Sequence, residues 1–434
     1  MSFIAVKGTR DFYPELMRLT NWMTDIWRRV SLRNGFEEYE APTLEYLELF
    51  TAKSGPEIVS QLFNLTDRGG RNLAIRAEIT PSLARMVNAK INSLPRPIKW
   101  FSIPRVLRAE NPQKGRLREF LQWNVDVIAE PSELADAECI FVAVDALREM
   151  GLSSADAVVR YSSRAMVSQV LGALGLAEAD VPKALAVLDK RAKVPAEAFE
   201  QMLAGVLVQA AARSALTHFL DAPMEVGEDA GAFAQRLADS AGIPVSEGMV
   251  KAAQALANLQ AGLRAFGIVD WCRYDSGVVR GLAYYTGIVY EIFDVRQSLR
   301  AVAGGGRYDN LLEVLGGPAV SATGFGMGDV VLGILLEEHG KVPSLAGRLD
   351  YFVIDAEGAT LEQVVSLAGR LRQAGRSADF SYRRQGTGKQ LKEANRRGAR
   401  FAVIVGPDGL SVKDLVSGEQ TQTSIEQLLS QLGR

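Results

Sequence analysis

A chain of 434 residues is longer than one ordinary core organises, so two or three domains are expected; 47% hydrophobic and 23% charged residues exclude a disordered or fibrous protein. A formal net charge of −2 excludes a global field that would draw in nucleic acid, so any such partner must be met by a local patch. Two cysteines, Cys139 and Cys272, lack metal-type spacing and fit small core residues in a reducing compartment, while two histidines, His218 and His339, sit near no nucleophile or zinc pattern. No resident metal site and no imidazole catalysis are therefore expected. The opening MSFIAVKGTRDFYP lacks the apolar core of a secretion signal, and no stretch reaches the roughly 18 apolar residues of a membrane span. A cytoplasmic protein without membrane attachment is the expectation.

Along the chain, Leu16, Leu19, Met23, Ile26, Trp27 and Val30 follow a three-to-four repeat with Gly35 beyond, which predicts an amphipathic helix with a glycine stop. In GFEEYEAPTLEYLELF, Pro42 ends or edges a short extended segment. LAIRAEITPSLARMV predicts a strand and then a helix. PIKWFSIPRVLRAE and FLQWNVDVI predict strands flanking NPQKGRLR, whose glycine and charges suit an exposed, mobile hairpin. In the second of these strands Leu121, Trp123, Val125 and Val127 fall on one face, and Phe120, Gln122, Asn124 and Asp126 on the other. From about 165 to 265 the sequence becomes alanine- and leucine-rich, which predicts an inserted helical subdomain. Strand-like sequence resumes at VVRGLAYYTGIVYEIFDV. AVAGGGRYDNLLEVLGG predicts a glycine-rich turn and GFGMGDVVLGILLEEHG a strand entering a helix; neither has phosphate-loop spacing, so a tight turn or close strand packing is their local meaning. GKVPSLAGR has linker composition, and residues 349–434 alternate strand and helix as a small three-layer α/β domain with parallel strands.

The polar positions form a pattern of their own. Arg108 and Glu110 share parity on one segment, Glu78 and Thr80 on another, and Arg280 stands close to Tyr284 and Tyr285 on a third. A solvated sheet face is typically Lys, Glu and Thr. This set instead mixes arginine with carboxylates, amides and aromatics, which suit bidentate anion contacts, directional hydrogen bonds and base stacking. It implies a phosphate-bearing ligand with an aromatic base beside a second polar molecule. In YRRQGTGKQLKEANRRGAR, Arg383, Arg384, Lys389, Lys392, Arg396, Arg397 and Arg400 face Glu393 alone, which is either a solvated helix face or a nucleic-acid footprint.

Together these segments resemble the histidyl-tRNA synthetase family of class II aminoacyl-tRNA synthetases, almost end to end. KGTRDFYP is similar to the family's amino-terminal signature and GFEEYEAPTLEYLELF to its motif 1, which builds the class II dimer interface. RAENPQKGRLREFLQWNVD resembles motif 2. RGLAYYTGIVYE resembles a peptide peculiar to the histidine enzymes, AGGGRYDNLLEVLGG is also characteristic of them, and GKQLKEANRRGARFAVIVG resembles part of the anticodon-binding domain. The helical region matches in texture only, with LDKRAK the familiar fragment. The resemblance implies an α+β catalytic domain built on an antiparallel sheet over residues 1–335, with a helical insertion at about 165–265. A linker over 336–348 and a small α/β three-layer, anticodon-binding-like domain over 349–434 would follow, in a homodimer. It implies ATP-dependent attachment of L-histidine to tRNA(His) through a histidyl-adenylate, with Mg2+ accompanying ATP.

Carried over residue by residue, the resemblance makes Arg108 a ligand of the α-phosphate, Glu110 a contact to the adenine amino group and Phe120 its stacking partner. Glu78 and Thr80, with Ile79 between them and Gln122 beside, would bind histidine at its α-ammonium, and Asp126 with Tyr285 at its imidazole. Arg280 would bridge the substrate carboxylate and the α-phosphate, with Tyr284 supporting the pocket; Arg108 and Arg280 are thus the expected catalytic residues. Arg116 would reach the outer phosphates, Gln113 and Lys114 the tRNA acceptor end, and Arg396 and Arg397 the anticodon stem. Two departures stand out. Ala77 replaces a usual proline, and Val331 stands where motif 3 ends in an arginine, with Asp329 two residues before; Arg116 is the better candidate for the γ-phosphate and Arg307 the weaker. An alternative resemblance is to the non-catalytic, synthetase-like regulatory subunit of ATP phosphoribosyltransferase in histidine biosynthesis. That subunit generally lacks the carboxy-terminal domain and has a degraded form of the histidine peptide, which is intact here. A synthetase for another amino acid would have to explain the presence of both Asp126 and Tyr285.

Overall fold

Proline at the first helical position and a left-handed glycine, Gly35 at φ +79°, bracket the opening helix Pro14–Arg33, as its spacing predicts. In the computed structural model, residues 3–52, 61–191, 193–224, 227–281, 284–345, 349–383, 385–406 and 409–432 are described. The chain divides into two units, Met1–Val342 and Pro343–Arg434.

The strands of the first unit are β1 (Glu37–Glu38), β2 (Leu44–Tyr46), β3 (Phe63–Thr66), β4 (Asn72–Ile75), β5 (Ile98–Ser102), β6 (Arg105–Leu107), β7 (Glu119–Ile128), β8 (Ala157–Ser163), β9 (Cys272–Tyr274), β10 (Ile288–Asp294), β11 (Ala303–Arg307) and β12 (Ala322–Gly328). Among the described residues nine of them form one sheet in the order β1-β5-β7-β12-β11-β10-β8-β9, with β6 also beside β7. The run from β5 to β8 is antiparallel, and the parallel pairs stand at its two ends, β1 with β5 and β8 with β9. β2, β4 and β3 make a separate small sheet.

The alternation seen in the sequence of β7 positions everything else. Trp123, Val125 and Val127 enter the main core with the helices Pro14–Arg33 and Leu134–Glu149. Trp123 stacks on Trp27 at 5.8 Å between ring centroids and donates its indole N–H to Ser31 Oγ at 2.9 Å. Yet Asn124 and Asp126, on the opposite face, are buried as well. Buried polar groups need partners, so that face has to be covered by other polar chemistry. Behind the sheet, Asp136 on the helix Leu134–Glu149 pairs with Arg307 of β11 at 2.5 Å and accepts from Thr323 Oγ1 of β12 at 2.6 Å, tying helix to strands.

The helices Arg164–Ala173, Val181–Leu188, Ala196–Ala204, Ala210–Asp221, Ala230–Ala241 and Glu247–Ala265 fill the alanine-rich stretch. Their buried side chains, Val167, Leu171, Leu256 and Leu259 among them, belong to the same apolar core as Val125 and Ile140, so this stretch shares its interior with the sheet.

Two sequence expectations need correction. AVAGGGR is a buried strand, β11, in the middle of the sheet, so close strand packing, not a turn, is what its glycines serve. A Cβ at Gly305 would lie 2.3 Å from the Gly324 carbonyl oxygen. In VVRGLAYYTGIVYEIFDV regular strand begins only at Ile288; Arg280, Tyr284 and Tyr285 stand on irregular chain before it. Likewise Glu78 follows the end of β4 at Ile75, and Thr80 opens the helix Thr80–Lys90. Strand parity therefore orients the β7 residues, but loop and helix geometry orient the others.

The second unit has strands β13 (Leu349–Asp355), β14 (Ala378–Phe380), β15 (Ala399–Gly406), β16 (Gly409–Asp414) and β17 (Gln420–Thr423), ordered β14-β13-β15-β16-β17. The first three are parallel, as predicted; β16 and β17 extend the sheet on one side with antiparallel pairing that the polar sequence GLSVKD and QTQT did not announce. Val353 and Val403 pack toward the helix Leu361–Gln373, Phe352 and Ala402 toward the helix Thr387–Arg396, which makes three layers. Among the described residues no helix is long and apolar enough to cross a membrane.

Candidate active site

The polar face of β7 looks into a cleft lined by Glu78, Thr80, Arg108, Gln122, Asn124, Asp126, Arg280, Tyr284, Tyr285 and Tyr308, with glycines of β11 and β12 as its floor. The glycines are there because the polar side chains leave no room. A Cβ at Gly304 would lie 2.2 Å from Arg280 Nη1, and one at Gly324 would lie 2.1 Å from Asp126 Oδ1.

At one end, Tyr308 donates its hydroxyl to Asp126 Oδ1 at 2.5 Å, and Asp126 Oδ2 is buried without a partner among the described residues. Burial pushes the Asp126 carboxyl up to about 7, while the Tyr308 hydrogen bond pulls it down. Tyr284 donates to Glu78 Oε2 at 2.9 Å, and Glu78 Oε1 is likewise buried and unmatched. Tyr284 and Tyr285 lie 4.8 Å apart, ring centroid to centroid, and Tyr284 meets Tyr308 edge to face at 5.9 Å, a wall of three aromatic rings. The cleft thus offers two unfilled carboxylate oxygens, which is a site for N–H donors.

Two arginines supply the opposite charge. Arg280 adopts a left-handed backbone at φ +59°, a conformation that costs a non-glycine residue roughly 1–2 kcal/mol, and its carbonyl accepts from Arg164 Nη1 at 3.4 Å. Its guanidinium pairs with Glu291 of β10 and lies 5.8 Å from the centre of the Tyr285 ring. Burial works against the Arg280 charge, but Glu291, together with Tyr285 and Asp189, outweighs it and holds the pKa above the ordinary arginine value. Arg108 donates Nε to the Ala77 carbonyl at 3.1 Å and lies over Phe120 at 5.1 Å. Burial lowers its pKa, opposed by Glu78 and Glu110.

Beyond Arg108 the hairpin predicted to be exposed closes through a bridge between Gln113 and Arg116, with Gly115 at φ +74°. Arg116 forms an ion pair with Glu110, whose other oxygen is buried and unmatched. Lys114, largely exposed, lies 3.8 Å from Glu338. Arg396 and Arg397 belong to the second unit, at the end of the helix Thr387–Arg396.

The structure thus brings together Glu78, Thr80, Arg108, Gln122, Asp126, Arg280, Tyr284 and Tyr285, with Phe120, Glu110 and Arg116 continuing outward. It does not bring in Ile79, whose fully buried side chain packs in an apolar cluster with Leu83 and Val87. Nor does it bring in Arg307: this side chain spends its donors on Asp136, the carbonyls of Glu130 and Ser132, and Ser321, so it is a structural cation behind the sheet. Asp329 is no cleft residue either; it accepts from Arg10 at 2.6 Å and from the Leu121 backbone N–H at 3.0 Å. Sequence reasoning missed Tyr308, Asn124 and Glu291. Asn124 was visible from β7 parity, and Tyr308 stands two residues after the glycine run, beyond Arg307; no signal marked Glu291.

A family model described as histidyl-tRNA synthetase matches residues 8–328, and one described as an anticodon binding domain matches residues 350–434. The chain is 40% identical to a histidine-tRNA ligase of Opitutus terrae, over 98% of this chain and 97% of that protein. It is 37% identical to a chloroplastic/mitochondrial histidine-tRNA ligase of Arabidopsis thaliana, over 97% of this chain and 85% of that one. In fold it is similar to a crystal structure of histidyl-tRNA synthetase from Nostoc, with a TM-score of 0.82 at 24% identity, covering 100% of this chain and 99% of that one.

Proposed function

The chain belongs to the histidyl-tRNA synthetase family, and from that membership and the chemistry of its cleft we propose that it activates L-histidine with ATP and transfers the histidyl group to tRNA(His). The observation that carries this is Asp126, held through one oxygen by Tyr308 with the other buried and unmatched, in the same cleft as Arg108, Arg280 and Glu78. The unmatched Asp126 oxygen suits an imidazole N–H, and the unmatched Glu78 oxygen suits an α-ammonium.

In the first step an oxygen of the histidine carboxylate attacks the α-phosphorus, the bond to the β-phosphate breaks, and pyrophosphate leaves. The carboxylate is already ionised at neutral pH, so no general base is needed; positioning and neutralisation by Arg108 and Arg280 suffice. In the second step a terminal ribose hydroxyl of the tRNA attacks the activated carbonyl, the bond from that carbonyl to the AMP oxygen breaks, and AMP and the hydroxyl proton leave. Discrimination follows from leaving Asp126 unmatched when an amino acid without ring nitrogens binds, a penalty that reaches roughly 10⁴ to 10⁵ in specificity where such groups are buried.

Phe120 and Glu110 would receive the adenine, Arg116 the outer phosphates, Gln113 and Lys114 the acceptor end, and Arg396 with its neighbours the anticodon stem. Mg2+ would arrive with ATP as part of the substrate. Exposed Leu44, Tyr46 and Leu65 on the small sheet support a homodimer through this face, and the composition supports a cytoplasmic location. A regulatory, non-transferring role is less well supported, since the chain carries the anticodon-binding match over 350–434.

Histidine-dependent exchange of pyrophosphate into ATP, followed by charging of total tRNA with each amino acid in turn, tests the proposal. Absence of exchange would leave a binding protein; exchange without charging would leave activation without transfer; charging with another amino acid would reassign Asp126.

A further inference from the structure

The two anions proposed for this cleft bring about five negative charges, four on ATP and one on histidine. Arg108 and Arg280 face the reacting centre, and Arg116 enters already paired with Glu110. The helix Asp329–Glu338 adds no cation beside this hairpin, since Val331, apolar and buried, is the side chain that lies against Gly115.

A further arginine lies against the same hairpin. Arg300 stands on the connection between β10 and β11, the strands that carry Glu291 and Gly304 and thereby hold Arg280. Its Nη1 reaches Gln113 Oε1 at 3.4 Å, and Gln113 is the residue bridged to Arg116. Among the described residues no carboxylate lies within ion-pair distance of it. The connection is built rather than slack: the Asp294 carboxylate, 2% exposed, accepts from the backbone of Ser298 and of Leu299, both at 3.0 Å, and from Ser298 Oγ at 3.1 Å. Three hydrogen bonds thus fix the chain just before Arg300. Burial and the like charge of Arg116 both lower the Arg300 pKa, against Glu110, Asp189 and Glu291. Two neighbouring arginines, one of them lacking a counter-charge, are held at a cost that a multiply charged anion between them would remove.

We infer that Arg300 binds the outer phosphates of ATP, forming with Arg116 a two-arginine clamp on the leaving pyrophosphate. The inference rests on the ATP reading above and adds a ligand from a segment that motif analysis did not single out. The clamp acts on the β- and γ-phosphates and leaves adenosine and the α-phosphate to Phe120, Glu110 and Arg108.

Equilibrium binding of ATP and of AMP to the purified full chain, with Mg2+, separates these roles. Arg300→Gln should weaken ATP about tenfold, the loss of one charge-assisted hydrogen bond, and leave AMP within about twofold. Arg300→Lys should fall between, and the melting temperature without nucleotide should not move. Equal weakening of ATP and AMP, or unchanged ATP affinity, overturns the clamp, and unchanged ATP with weakened tRNA affinity reassigns Arg300 to RNA. A wild-type protein that binds no ATP removes the reading of the cleft itself, whereas wild-type ATP binding with an indifferent Arg300→Gln removes only the clamp.

Discussion

The Tyr308 hydroxyl donates to Asp126 Oδ1 at 2.5 Å while Asp126 Oδ2 stays buried without a partner among the described residues, so one oxygen is oriented and the other is left to the ligand. To accept an imidazole N–H the carboxylate must be ionised, and burial pushes its pKa up to about 7. The kcat/KM for histidine should therefore rise with pH through about 7. Tyr308→Phe removes the bond that holds this pKa down, so the rise should move to higher pH with the KM for ATP unchanged. A profile superposable on the wild type would show that Tyr308 does not tune Asp126.

Stability responds with the opposite sign. Asp126 is raised from 3.8 to about 7, so between those values the folded protein holds a proton that the unfolded chain releases. Its contribution to stability is complete below the unfolded pKa and is lost as pH rises through about 7. Asp126→Asn should flatten the fall in melting temperature of the ligand-free protein between about pH 5 and 8. A fall as steep as in the wild type would place the proton on another group.

Gly304 shows how a glycine strand makes room for the side chain proposed to act on the α-phosphate. A Cβ there would lie 2.2 Å from Arg280 Nη1, so Gly304→Ala must displace the guanidinium that pairs with Glu291. Pyrophosphate exchange should drop about a hundredfold or more, as in Arg280→Ala, because each removes charge stabilisation of the reacting phosphate. Arg280→Ala also leaves the buried Glu291 carboxylate without its cation, so its melting temperature should fall too, and exchange is compared where the variant is folded. Near-normal exchange in Arg280→Ala would remove that residue from the reaction.

The contrast between β7 and β11 explains what was legible. In β7 the apolar and polar positions alternate, so the sequence alone separated Trp123 and Val125 from Gln122 and Asp126, and the structure sends the two sets to opposite faces. In β11 the run Ala-Gly-Gly-Gly-Arg has no alternation to detect, because the glycines are selected by what occupies the space beside them, namely Arg280, Tyr290 and Phe325. That space is filled by residues distant in sequence, so neither the strand nor the place of Tyr308 at its end could be deduced locally. The same holds for Arg307. The missing motif 3 arginine left Arg307 as the weaker candidate for the γ-phosphate, but its partner, Asp136, is 171 residues away.

Arg307 now carries a stability prediction and no catalytic one. Asp136, fully buried, is pushed up to about 6 by burial even with Arg307 beside it. Arg307→Leu would leave that carboxyl without its cation, a loss of about 3–5 kcal/mol. Chemical denaturation should show it. In the variant, where it remains folded, the KM for ATP should stay within about twofold of wild type, since Arg307 faces away from the cleft. A selective rise in that KM would restore Arg307 as a phosphate ligand.

The basic helix of the second unit is less uniform than its sequence suggests. Arg397 pairs with Asp379 and with Glu393 at 3.2 Å, and Arg400 pairs with Asp414 at 2.7 Å, so these two charges are engaged within the domain. Arg396 is exposed, and among the described residues no carboxylate lies within ion-pair distance of it. Pairing an arginine with an RNA phosphate releases a counterion, so deleting one such pair should lower the slope of log affinity against log salt by about one unit. Arg396→Gln should therefore weaken tRNA binding and flatten that slope, with the domain's stability intact. Arg397→Gln should change the slope less, because its charge is already balanced by two carboxylates. Equal effects of the two on the salt slope would mean that the RNA draws Arg397 out of its pairs, and no effect of Arg396→Gln would leave this helix a solvated face.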